Sequence, residues 1–281
     1  MSVPPPVPVR VGHSPDPDDA FMVWAIAEQT IDLRGFAIEL VPADIQTLNG
    51  WAAEGRLEAT ALSVAAYPAV ADRYRLLGHG ASLGEGYGPV VIARDPLAPA
   101  DLAGRRVAVP GPATTAFLTA RLALPAFEPV QLDFAEIMDA VAVGTVAAGV
   151  VIHEGQLDWE ERGFHRVLDL GAWWLEETGL PLPLGAVAIR RDLPGDVAGR
   201  LSMVLREAIE AGLAHRAEAL DYAIGFGRGI APERNDRFVG MYVNEMTLDY
   251  GDRGRSAVAE LMTRGAAAGL IPADVPLDFL A

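Results

Sequence analysis

Arg105-Arg106-Val107-Ala108-Val109-Pro110-Gly111-Pro112-Ala113-Thr114-Thr115-Ala116 is the stretch on which the fold turns. Arg106 to Val109 is a short apolar run that reads as a strand, and Gly111-Pro112 turns it. Thr114 or Thr115 then caps a helix running to about Leu124, because a hydroxyl there can accept an unpaired first-turn amide. Strand, turn and helix open an α/β unit. Downstream, Val130 to Leu132 predicts a strand, Ile137 to Val143 a helix, and Gly149 to Ile152 a strand that ends in His153. Two similar segments bracket this unit: Ala93-Arg94-Asp95-Pro96 before it and Ile189-Arg190-Arg191-Asp192-Leu193-Pro194 after it. Each follows an apolar strand, which predicts two crossings between lobes, near Ala93 and Ile189.

Outside the bracket, Val7 to Gly12 alternates as a first strand. Ser14-Pro15-Asp16-Pro17-Asp18-Asp19 precedes the apolar helix Ala20 to Ile26, and acids at that place predict an N-cap. Strands at Phe36 to Val41, Thr60 to Ser63 and Gly88 to Ala93 follow, with helices at Asp44 to Glu54 and Ala65 to Arg73. Gly185 to Ile189 is a late strand, and the last third is helical. The predicted architecture is a two-lobed α/β fold. Residues 1–94 and 190–281 form the first lobe, residues 95–189 an inserted second lobe, and the cleft between them the ligand site.

Composition narrows the chemistry. The 281 residues suffice for one large or two ordinary domains. All 22 basic residues are arginine and there is no cysteine. That excludes a thiol nucleophile, a disulfide, a thiolate metal cluster, a lysine Schiff base and a P-loop lysine. The net charge of −16 opposes binding to nucleic acid or to an anionic membrane surface. Met1 to Arg10 is proline-rich and lacks the basic and apolar regions of a signal peptide, so the expected location is cytoplasmic. No apolar run is long enough to span a bilayer.

Several groups sit where α/β folds place ligands. His153 closes a buried strand, where side chains face the crevice. It either exchanges a proton near neutral pH or simply ends the strand on a hydrogen bond. Gly111 to Ala116 opens a helix, so its amides, dipole and threonine hydroxyls favour an anion; the competing reading is an ordinary threonine cap. Ser63, at the end of Ala61-Leu62-Ser63, faces the same cleft or caps the segment after it. Asp16, Asp18 and Asp19 are read as helix-capping rather than metal-binding, because their spacing is not that of a metal loop, and no metal site is expected. His79, His165 and His215 are read as surface or structural residues, and Trp173-Trp174 as a cleft rim or as packing.

Taken together, several motifs resemble the 1,4-dihydroxy-6-naphthoate synthase family of menaquinone biosynthesis by the futalosine pathway. They are Ser14 to Phe21, Leu62-Ser63 with Tyr67, Asp72-Arg73-Tyr74, Gly84 to Pro89, Val109-Pro110-Gly111 with Thr114-Thr115-Ala116, Ile152-His153-Glu154, and Met241 to Asn244. The resemblance runs close to full length. It implies a periplasmic-binding-protein type II-like fold and a cofactor-free lyase that converts cyclic dehypoxanthine futalosine to 1,4-dihydroxy-6-naphthoate. It further implies His153 as the general base, and Ala61, Leu62, Ser63, Thr114 and Thr115 as contacts to a small carboxylate substrate. The first loop of that family reads Ser-Pro-Cys-Pro-Asn-Asp-Thr, and here Asp16, Asp18 and Ala20 replace Cys, Asn and Thr. The alternatives are chorismate dehydratase of the same pathway, against which the His-Glu segment weighs, and a non-catalytic solute-binding protein, which ordinarily carries an export signal.

Overall fold

Val9 and Val11 are buried while Pro8 and Arg10 are exposed, so β1 (Val7–His13) starts with one buried face and becomes buried on both at Gly12 and His13. The computed structural model describes residues 5–227, 229 and 231–280, so the Met1 to Pro4 part of the amino-terminal reading lies outside it. After β1 come α1 (Pro17–Ala27), β2 (Phe36–Pro42), α2 (Ile45–Glu54), β3 (Ala59–Ser63), β4 (Tyr74–Leu77) and β5 (Ser82–Gly84). Then follow β6 (Val90–Ala93), β7 (Arg106–Val109), α3 (Thr115–Ala123), β8 (Glu128–Gln131), α4 (Ile137–Ala142), β9 (Ala148–Val151), β10 (His165–Asp169) and α5 (Leu170–Thr178). The chain ends with β11 (Leu182–Arg190), α6 (Gly195–Ala214), α7 (Arg216–Ala223), α8 (Pro232–Tyr242), α9 (Glu245–Leu248), α10 (Gly251–Ala267) and β12 (Phe279–Leu280). Among the described residues, no helix is long and apolar enough to cross a membrane.

The strands form two sheets of one design. The first runs β12-β4-β11-β3-β1-β2, with β5 also on β11; the second runs β10-β6-β9-β7-β8. In each, three parallel strands lie side by side: β2-β1-β3 in one and β8-β7-β9 in the other. Each then receives one antiparallel strand, β11 or β6, followed by a fifth strand, β4 or β10, on its far side.

This arrangement moves both predicted boundaries. β6 was placed in the first lobe by the sequence reading but pairs with β9 and β10 of the second sheet. β11 begins at Leu182, inside the range given to the second lobe, yet pairs with β3, β4 and β5 of the first sheet. The Arg-Asp segments therefore follow antiparallel strands within each lobe and do not mark the crossings. The chain crosses at residues 85–89 and again at 179–181. At the first crossing the backbone is tightly wedged. A β-carbon on Gly171 would lie 2.0 Å from the Tyr87 carbonyl oxygen, so only glycine fits there.

Further elements were not anticipated, among them β4, β5, β10, α5 and β12. Ala65 to Arg73, expected as a helix, is instead a short 3-10 turn over Val64–Ala69 containing Pro68, which then leads into β4. One apolar cluster, including Leu62, Tyr74, Val91, Val150, Trp174 and Ala186, draws from both sheets and joins the lobes at their base. Trp174 belongs to that core, with its indole N–H donating to Pro181 O at 3.1 Å, so of the two readings for this tryptophan packing is the observed one.

Candidate active site

The cleft between the sheets is lined from both lobes at the carboxyl ends of their parallel strands, where open α/β sheets bind ligands. The first lobe contributes Ser14, Asp16, Asp18 and Asp19 after β1, and Ala61, Leu62 and Ser63 from β3. The second contributes Thr114, Thr115 and Ala116 at the start of α3 and Ile152 after β9. Phe238 and Tyr242 of α8 and the Leu184–Ala186 segment of β11 complete the wall. The enclosed volume is about 110 Å³.

Ser63 is buried, with its amide donating to Asn49 Oδ1 at 2.8 Å and its hydroxyl accepting from Asn49 Nδ2 at 3.0 Å. A hydroxyl has one proton to give, and accepting from Asn49 leaves that proton for a ligand. Asn49 was missed in the sequence because it sits within α2 among helix-forming neighbours; its one signal is a polar residue on the buried face beside Leu48 and Ala52.

The threonines behave differently from the expectation that their hydroxyls hold the substrate. Thr114 Oγ1 donates to Gly111 O at 2.8 Å and accepts from Phe117 N at 3.2 Å, so it caps α3. Thr115 Oγ1 donates to Leu184 O at 2.7 Å and accepts from Ala65 N at 3.1 Å, so it ties α3 to the first lobe. Each hydroxyl proton is already committed. What the turn offers an anion is its first-turn backbone, Thr115 and Ala116, at the positive end of a helix whose first turn has no acid.

Helix α1 presents the opposite face. Asp16 is its N-cap by position but makes no side-chain cap; its carboxylate instead accepts from Ser14 Oγ at 2.6 Å. Asp19 accepts from Ser14 N at 2.6 Å. The capping expected for these acids is corrected for Asp16 and Asp19, whose carboxylates turn back to Ser14, and holds for Asp18, whose carboxyl accepts from the Asp18 and Asp19 amides in the first turn of α1. Asp18 and Asp19 are each only 9% exposed. Burial pushes the Asp19 carboxyl up to about 7, against the pull of the Ser14 amide and with a further push from Asp16. Burial, followed by the charges of Asp19 and Asp16, holds Asp18 well above the ordinary carboxylate range. Among the described residues, no three His, Asp or Glu side chains converge as metal ligands.

His153 lies at the carboxyl end of β9, 8% exposed, but it is Ile152 rather than His153 that lines the cleft. Its Nδ1 accepts from Gly155 N at 2.9 Å, and its ring lies 5.4 Å from that of Phe134. A backbone N–H can only donate, so Nδ1 carries a lone pair and the neutral ring bears its hydrogen on Nε2. Glu154 Oε2 stands 3.7 Å from Nδ1. Two residues further on, Gln156 Oε1 accepts from the buried Tyr242 hydroxyl at 2.8 Å. That bond bridges the lobes. So do Ala113 N to Gln46 Oε1 at 3.1 Å and the ion pair of Arg234 with Glu161.

Two α/β lobes of matching strand order, closed on a ligand cleft by hydrogen bonds across it, define the periplasmic-binding-protein-like class. The alkanesulfonate-binding protein of Xanthomonas axonopodis pv. citri, solved with bound MOPS, shares this fold at a TM-score of 0.70 and 16% identity, covering 96% of each chain. Within that class the chain belongs to the menaquinone biosynthesis family, which it matches over residues 9–267. It is 44% identical to the 1,4-dihydroxy-6-naphthoate synthase of Thermus thermophilus over 270 residues, 96% of this chain and 98% of that protein. A crystal structure from Archaeoglobus fulgidus matches at a TM-score of 0.90 and 44% identity, covering 94% of this chain and 98% of that one.

Proposed function

We propose that the protein is a cofactor-free carbon–carbon lyase that converts cyclic dehypoxanthine futalosine to 1,4-dihydroxy-6-naphthoate. The observation that carries this reading is an acid-free helix N-terminus in the cleft beside a strand whose buried histidine stands one residue behind the cleft-lining Ile152. The first suits an arylcarboxylate through the backbone of Thr115 and Ala116 and the hydroxyl proton of Ser63. The second supplies a base. The near-full-length likeness to a named synthase supports the same substrate.

Proton removal by His153 needs a ring nitrogen with its lone pair turned to the substrate. Nδ1 has that lone pair but directs it at Gly155 N–H. Substrate binding therefore has to draw the Glu154–Leu157 turn away, releasing Nδ1 and bringing the ring past Ile152 into the cleft. The present volume of about 110 Å³ is small against the roughly 300–1,000 Å³ of typical ligand pockets, so the lobes part to load and close to exclude water. The reading includes a cytoplasmic enzyme whose partner is a small carboxylate and which binds neither nucleic acid nor membrane, in keeping with a net charge of −16.

The test is a mass-spectrometric product assay with purified protein, cyclic dehypoxanthine futalosine and no added cofactor. Formation of 1,4-dihydroxy-6-naphthoate is expected. Binding without turnover would leave a solute-binding protein, and turnover of chorismate instead would assign the dehydratase reaction.

A further inference from the structure

Behind the cleft lies a second, smaller cavity of about 30 Å³, walled mostly by aliphatic side chains such as Val11, Val187 and Ile209. Three polar side chains also line it: His13, His79 and Asp19. Asp19 and Ala61 belong to both cavities, so the Asp19 carboxyl stands in the partition between them. His79 is 3% exposed. Its Nε2 lies 3.1 Å from Ser202 Oγ of α6, while its Nδ1 is buried with no hydrogen-bond partner. A buried ring nitrogen without a partner is costly, and native structures satisfy such atoms with protein or water. A site holds a water when it offers about 10–15 Å³ and two to four polar partners. This cavity meets both conditions, with room for one or two molecules.

We propose that this inner cavity is a water-binding site that links His79 Nδ1 to the carboxyl of Asp19, and that Asp19 so supported is a proton-donating residue of the cleft. The donor half rests on the lyase reading above; the water site does not. The hydrogen bonds form a consistent chain: the Ser202 hydroxyl donates to His79 Nε2, Nδ1–H donates to the water, and the water donates to Asp19. In the reaction, His153 takes a proton from the substrate and the electron pair of the breaking bond ends on a substrate oxygen. Asp19 gives its carboxyl proton to that oxygen, and the carboxylate left behind is held by the Ser14 amide and the cavity water. After product release His153 returns its proton to solvent and Asp19 regains one, so no proton is consumed. A carboxyl kept up to about 7 by burial is protonated when this step needs it. His79, brought down to about 4 by burial and by Arg206, is neutral throughout and acts as a positioning residue.

The groups around Asp19 are Asp16 and Asp18 on its own turn, His13 at the end of β1, His79 after β4 and Tyr242 of α8, with Arg206 and Asp249 near His79. The cavity water favours the charged carboxylate, so its loss raises the Asp19 pKa further. Two substitutions separate this role from simple packing. His79→Gln keeps an amide near Ser202 but vacates the Nδ1 position; His79→Asn does the reverse.

The first measurement is a difference infrared pH titration of wild type against Asp19→Asn, without substrate, following the protonated-carboxyl band of Asp19. The titration midpoint is expected near 7 in wild type and in His79→Asn, and about one pH unit higher in His79→Gln. Equal midpoints in all three, or no such band, overturn the water site. The second is turnover against affinity: Asp19→Asn should lose about 10²–10⁴ in rate while binding substrate normally. The alkaline fall in wild-type turnover should move upward in His79→Gln only. An Asp19→Asn variant with normal turnover overturns the donor role. If wild type itself does not turn over the substrate, the donor role falls with the lyase reading, and the infrared titration still decides the cavity.

Discussion

The two lobes are built on the same strand order, yet the helices that follow their first parallel strands, β1 and β7, carry opposite chemistry. α1 begins Pro17-Asp18-Asp19 and places two carboxyls at its own N-terminus; α3 begins Thr115-Ala116 behind a threonine cap and places none. A helix N-terminus attracts negative charge wherever it is open. In the first lobe the protein's own acids hold that place, so desolvation rather than an external anion sets their protonation. In the second lobe no side-chain acid holds that place, which under the proposed function is where the substrate carboxylate sits. The third parallel strands differ in the same sense: β3 ends in Ser63, a donor held by Asn49, and β9 leads through Ile152 to His153. One scaffold used twice thus sets an acidic wall opposite a wall whose helix N-terminus carries no acid.

The largest expected effect breaks the contrast at the strand ends. His153→Asn keeps polarity but cannot accept a proton near neutral pH, and should lower single-turnover rate about 10²–10⁴-fold. Substrate affinity should be unchanged, because the Ser63 hydroxyl and the start of α3 remain. Normal rate in this variant would return His153 to a purely strand-ending role.

Asp19→Asn makes α1 less acidic and should stabilise the fold in a pH-dependent way. The native carboxyl titrates near 7 and the unfolded one near 3.8, so the wild-type native state binds more protons between those values. Wild-type stability therefore falls as pH rises from about 4 to about 7, and the asparagine variant escapes that loss. Its advantage should grow across this window to about 4 kcal/mol, read from denaturant midpoints at pH 4 and pH 8. An advantage that is constant with pH would mean that Asp19 is charged in the native protein.

Thr114→Asp makes α3 resemble α1. Aspartate is a good N-cap, so stability should hold. A negative charge at the anion-binding end should weaken substrate about ten- to a hundredfold in a binding titration. Thr114→Val, by contrast, removes the cap, costing about 1 kcal/mol of stability, with little change in affinity because the hydroxyl proton is already given to Gly111 O. A large affinity loss in the valine variant would show the hydroxyl reaching the substrate after all.

The smallest effect concerns how the walls meet. Tyr242→Phe removes the bond to Gln156 across the lobes and should cost about 1 kcal/mol of closure. Small-angle scattering without ligand should then show a larger radius than wild type; an unchanged profile would place the closing force elsewhere.

Much of this was legible in the residues. The alternation of Val7 to Gly12, the strand–turn–helix at Arg106 to Ala116 and the apolar run into His153 each report a local preference, and the structure places each element there. Short strands such as β4, β5 and β10 were not legible, because three to five residues give too little periodicity to separate a strand from a turn. The lobe boundaries were misplaced for a related reason: β6 and β11 are apolar on either assignment, and only their partners show which sheet they complete.

The sequence by itself determined the α/β class, the exclusion of lysine and thiol chemistry, and the residues standing at the strand ends. Those follow from residue type and local order. Only the tertiary structure decided that Thr114 and Thr115 have no hydroxyl proton to offer, that His153 turns Nδ1 toward Gly155, and that Asp18 and Asp19 are buried, Asp19 between two cavities. Hydrogen-bond commitment and desolvation depend on neighbours distant in the chain, such as Leu184 for Thr115 and His79 beside Asp19, and local sequence carries no record of them.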